Sequence, residues 1–106
     1  EWGNGRRNVY AWYYQAGALH NLGGERWREW FTHVQQVLID KQQSACKEAG
    51  SWHPTRPAGS KHEFSEIVGR LYVTVMCALI LETPFRHAPL YEPPATLPPA
   101  GGAPGN

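Results

Sequence analysis

Residues 66–84, EIVGRLYVTVMCALILETP, decide the fold. Ile67, Val68, Leu71, Tyr72, Val75, Met76, Ala78, Leu79, Ile80 and Leu81 are apolar, with polar interruptions at Arg70, Thr74 and the terminal Glu82. Val73-Thr74-Val75 alone suits a buried strand. Ile67, Val68 and Leu71 extend the helical period upstream and favour a helix over Glu66–Glu82. Ser65 is placed to cap it, Glu66 suits its N-terminal dipole, and Pro84 is expected to stop it. A helix apolar nearly all round needs neighbours on most sides.

Two further helices lie upstream. Val9, Trp12, Tyr13, Ala16 and Leu19 recur at three- and four-residue steps, predicting a helix over Val9–Leu22. Asn8 is its N-cap and Gly23-Gly24 its close. Trp27, Trp30, Phe31, Val34, Val37 and Leu38 form one face of a second helix, expected from Glu25 to Lys47. Between Glu48 and Ser65 runs a loop broken by prolines and glycines, long for a compact domain unless it packs. Trp52 is the residue expected to pin it.

The organisation that follows is all-α: an irregular segment over 1–8, a helical domain over 9–88, and a Pro/Gly-rich tail over 89–106. The tail, PLYEPPATLPPAGGAPGN, has little apolar surface to offset ordering. At 106 residues the chain fits one small domain.

Ten basic residues against nine acidic argue against a nucleic-acid surface. The adjacent Arg6 and Arg7 read as a solvated pair, and Trp2 as part of a frayed, polar terminus. No uninterrupted apolar run approaches the roughly 18–20 residues that span a bilayer, so no transmembrane segment is expected. Cys46 and Cys77 allow one disulfide at most and leave the redox compartment open.

Catalytic signatures are absent. His20, His33, His53, His62 and His87 are widely separated, without metal-ligand spacing, and read as surface or loop residues. No cofactor or metal is expected, and a zinc site from Asp40, Cys46 and a distant His is the weaker alternative. Cys77 lies in the apolar helix, and Cys46 is far from a thiolate-stabilising helix N-terminus. Ser60, His62 and Ser65 are an ordinary polar loop trio, and Glu63 and Glu66 read as surface carboxylates beside Lys61. Tyr10, Trp12, Tyr13 and Tyr14 are the candidate lining of an apolar pocket, or ring faces for a cation. Core packing is the plainer account of them.

Three stretches, WYYQAGALHNLGGERWREWF, QQSACKEAGSW and RLYVTVMCALILETPFRHAPLY, together resemble the repeat domain of the squalene cyclase and prenyltransferase superfamily. The likeness is greatest to the C-terminal repeats of squalene-cyclase-like proteins of planctomycete-type bacteria, and covers roughly Tyr10 to Tyr91. Repeats of that family carry a glutamine near a helix end followed by a Gly-x-Trp turn, matched here by Gln43, Gly50 and Trp52. The resemblance implies a fragment of an α/α toroid, with the second helix outer and the third inner in one hairpin. It also implies Trp52 clamped on the glutamine amide. It carries no activity, because the cyclases' aspartate-rich acid motif, the prenyltransferases' zinc set and the Cys-Gly-Glu-Gln run of thioester relatives are missing. The expected function is a non-catalytic helical repeat module that packs against further repeats, a partner subunit or itself. Alternatives are the C-terminal part of a terpene-cyclase-like enzyme, and an apolar-ligand or peptide-binding domain.

Overall fold

The computed structural model describes residues 2–3 and 5–86. The chain is all-α, with α1 over Val9–Leu22, α2 over Gly24–Lys41, a 3₁₀ turn over Cys46–Glu48 and α3 over Ser65–Arg86. The tail over 89–106 and His87 lie outside the described residues.

Helix α1 has the predicted bounds because both ends are written locally. The Asn8 Oδ1 accepts the Ala11 N–H at 3.0 Å, and the Gly23 N–H donates to the Leu19 carbonyl at 2.9 Å. Helix α2 ends at Lys41, six residues before the predicted Lys47. Asp40 to Ser44 contains no apolar side chain, so a further turn would bury nothing. Gln42 turns extended instead (ψ 137°), and the backbone of Gln43 pairs with the returning loop.

Helix α3 departs from expectation at both ends. It runs through Pro84 rather than stopping before it, ending at Arg86. The Leu79 carbonyl, next to the one Pro84 deprives of its partner, accepts the Thr83 hydroxyl at 3.1 Å and Arg86 Nη2 at 3.0 Å. Near its start, Gly69 stands at φ 84°, ψ −168° and breaks the first turn from the rest. That backbone region suits glycine, and the break explains why Ile67 and Val68 do not share the phase of the residues after it. Ser65 does not cap the helix with its side chain; its Oγ accepts Arg7 Nη2 at 3.3 Å.

Helix α1 sits between the other two, packing along α3 and, less extensively, α2. The expected side-by-side hairpin of the second and third helices is therefore not how this chain packs. Val9, Ala16, Val34, Leu38, Trp52, Val73, Cys77 and Ile80 form the core, with Trp2 at its edge. His20 is buried too, its ring edge-on to Trp27 at 5.0 Å, and not on the surface as expected. Trp27 in turn stacks on Phe31 at 4.7 Å.

Candidate docking surface

The turn carried by Gln43, Gly50 and Trp52 is built. The Gln43 N–H donates to the Ser51 carbonyl (2.8 Å) and the Gly50 N–H to the Gln43 carbonyl (2.7 Å). Gly50 takes φ 88°, the left-handed region the turn requires. Trp52 is 2% exposed, and its indole N–H donates to the Leu38 carbonyl at 2.8 Å near the end of α2. Its backbone N–H reaches Thr74 Oγ1 of α3 at 3.3 Å. The indole thus ties loop, α2 and α3 together, satisfying a carbonyl that the helix end leaves without a partner. The Gln43 amide is engaged elsewhere: its Oε1 accepts Arg70 Nη1 at 3.1 Å.

The four aromatics of α1 do not share one pocket. Trp12 faces a groove with Trp30, His33, Val34 and Val37, and its ring lies 6.3 Å from that of Trp2. Tyr13 and Tyr14 line a separate groove with Gly17, Ala18, Thr83 and Arg86. Tyr10 lies edge-on to Tyr14 at 5.1 Å. The cation over Tyr13 is the chain's own Arg86 guanidinium, 6.0 Å from the ring centroid.

Among the described residues, the thiol and the phenols whose acidity is shifted all move toward the protonated form. Burial pushes the Cys77 thiol up to about 12. The Tyr10 phenol beside Tyr14 makes Tyr14 a weaker acid, and burial does the same to Tyr72. Among the described residues no group of His, Cys, Asp and Glu is arranged to hold a metal ion.

A buried charge pair was not foreseen. Arg7, read as solvated, is wholly buried, and so is Glu63, read as a surface carboxylate. Arg7 Nε and Nη2 donate to the Glu63 carboxylate, Nη2 also reaches the Pro54 carbonyl and Ser65 Oγ, and Nη1 donates to the His53 carbonyl. Glu63 Oε2 also accepts the Val9 N–H at 2.9 Å, placing a carboxylate at the start of α1. Trp2 is 8% exposed, and the guanidinium lies over its ring, 4.9 Å from centroid to Cζ. Trp2 and Arg7 are therefore built into the fold, the one not frayed and the other not solvated.

The feature left over is the outer side of α3. Val73, Cys77, Ile80 and Thr83 turn inward. Ile67 (85% exposed), Leu71 (77%) and Phe85 (89%) face out, joined by Val68, Val75 and Phe64. By length and composition α3 is also apolar enough to cross a membrane. No protein-family model, curated protein or solved structure matches the chain.

Proposed function

We propose that this chain is a non-catalytic helical module that docks a protein through the outer face of α3. The observation that carries the reading is the row Leu71, Val75 and Phe85, exposed on the side of the helix opposite its core residues. Large side chains left in water along one face mark an interaction surface. A membrane suits this helix less well. The Trp52–Thr74 contact sets the loop that bears Lys47 and Arg56 against the middle of α3, where a spanning helix would carry those charges into the bilayer. The Gln43–Gly50–Trp52 turn supports a repeat-like setting for this module, while α2 and α3 do not form the hairpin that a toroid requires.

The test compares the parent chain with Leu71→Glu/Phe85→Glu. The parent is expected to bind an apolar surface dye or to associate at micromolar concentration, and the double variant to do neither while keeping its helical circular dichroism. A parent that is a cooperative monomer without dye binding overturns the reading. Flotation of the parent with phosphatidylcholine vesicles overturns it in favour of a membrane.

A further inference from the structure

We infer that the partner on this face is a second copy of the chain, with the two α3 helices packed antiparallel. The inference rests on the docking reading above and adds to it the identity and direction of the partner. Two independent patterns support it.

The first is spacing. Leu71, Val75, Ala78, Glu82 and Phe85 follow one another at alternating steps of four and three. That is the heptad seam by which one helix packs along another, in place of the wider stripe that meets a globular core. Ala78 lies at the middle of the seam, where a small side chain lets two backbones approach. Helix α3 already has its core stripe in Val73, Cys77, Ile80 and Thr83. The heptad row is a second, separate face.

The second is charge. Helix α3 carries four charged residues: Glu66, Arg70, Glu82 and Arg86. Glu66 lies before the Gly69 break; on the regular helix beyond it, Arg70 and Glu82 are opposite in sign and symmetric about Met76, six residues to either side. Laid antiparallel on itself about Met76, the helix sets Glu82 of each copy at the level of Arg70 of the other. Laid parallel, it sets each charge beside its own like. Glu82, the one charged residue on the seam, then meets the long side chain of Arg70 from the other copy, twice across the two-fold axis. Such pairs contribute little net energy at an exposed rim, but like-charge contacts disfavour the wrong direction. A partner of unrelated sequence would not require this symmetry.

The experiment is sedimentation equilibrium of the full chain, with Leu71→Glu, Glu82→Arg and Arg70→Glu variants checked for folding by circular dichroism. The parent is expected to be a dimer. Leu71→Glu alters a side chain that makes no core contact and is expected to weaken the dimer by about tenfold or more. Glu82→Arg and Arg70→Glu are each expected to weaken it, and their equimolar mixture to restore it, because every facing pair is again opposite in sign. Arg70 also holds Gln43 and Ser51, so direction is read separately by pyrene on Phe85→Cys in a Cys46→Ser background. Antiparallel packing about Met76 holds the two labels roughly 27 Å apart, too far for excimer emission.

A folded parent that stays monomeric while still binding the dye overturns the self-pairing and leaves the docking reading standing. A monomer that binds no dye removes both. A dimer indifferent to Leu71→Glu, or one showing excimer emission at position 85, also overturns the inference.

Discussion

Arg7 and Glu63, 56 positions apart, meet at 2.7 Å with neither side chain exposed to water. One contact closes the chain's irregular start against the loop that precedes α3. Removing one member of a buried pair leaves the other charged and uncompensated, at a cost of about 3–5 kcal/mol. Glu63→Gln is therefore expected to lose most of the stability of a small domain. Arg7→Met/Glu63→Leu is expected to lose less than the two single changes added together, because neither charge is then stranded. Urea unfolding of Glu63→Gln, Arg7→Met, Glu63→Leu and the double variant checks this.

Gly59 lies against the same pair. A Cβ there would collide with the Glu63 carboxylate and stand 3.1 Å from Arg7 Nη2. Gly59→Ala is expected to cost about 1–3 kcal/mol, as overpacking does. Made in the Arg7→Met/Glu63→Leu background, where the flexible carboxylate is gone, the same change is expected to cost less. Equal costs in both backgrounds, measured by urea, would place the strain elsewhere.

How far the sequence is readable follows from where each signal resides. The ends of α1 are local, written in Asn8 and Gly23, and the structure matches them to the residue. Trp52 as the pin of the loop is equally legible, because a lone indole among prolines and glycines has few other uses. Arg7 and Glu63 carry no local mark. Each sits near an exposed charge, Arg6 or Lys61, and only the folded chain brings them together. The inward face of α3 is hidden for the opposite reason. A helix apolar on nearly every side does not say which side is inside, and the choice is made by α1. Ile67 and Val68 extended the predicted helix in phase, yet Gly69 breaks that phase and turns them out.

Trp52 and Trp2 were expected to differ sharply, one a clamp and the other loose in solvent. Both are buried, so both truncations to Ala are expected to destabilise, each by about 3–5 kcal/mol for a packed indole. What separates them is the hydrogen bond. Trp52→Phe keeps an aromatic body but strands the Leu38 carbonyl and is expected to cost ~1 kcal/mol beyond its lost contacts. Trp2→Phe, which retains a ring for the Arg7 guanidinium, is expected to be milder. Urea midpoints that do not rank the two Phe variants in this order would remove the hydrogen bond from the account.

The two thiols are expected to behave as opposites. Cys46 is exposed, while Cys77 is sealed in the core with its thiol pushed up to about 12 by burial. A water-soluble disulfide reagent at neutral pH is expected to modify one thiol quickly, and the second only as fast as the chain unfolds. Cys46→Ser is expected to abolish the fast phase. Two fast thiols in the parent would mean that the α1–α3 interface opens readily.

His53 lends its carbonyl to Arg7 as one of the guanidinium's acceptors. Its Nδ1 faces the backbone N–H groups of Thr55 and Arg56 at 3.1 and 3.0 Å, and its Nε2 faces Arg56 Nε at 2.9 Å. A neutral imidazole keeps one lone pair for such donors; an imidazolium keeps none. Burial lowers the His53 pKa below its ordinary 6.5, and the guanidinium groups of Arg56, Arg70 and Arg7 lower it further, with Glu48 opposing them. The folded chain thus binds this proton less readily than the unfolded chain does. Stability from this residue is complete above the unfolded value of 6.5 and is lost as the pH falls below it, towards the lower folded value. The melting temperature is therefore expected to drop between about pH 7.5 and about pH 5.5, above the range where most carboxylates titrate. His53→Asn retains a side-chain oxygen that can accept the same two amides and removes the titration. Its melting curve is expected to shift less over that interval. An unchanged slope in His53→Asn would assign the pH dependence to another group.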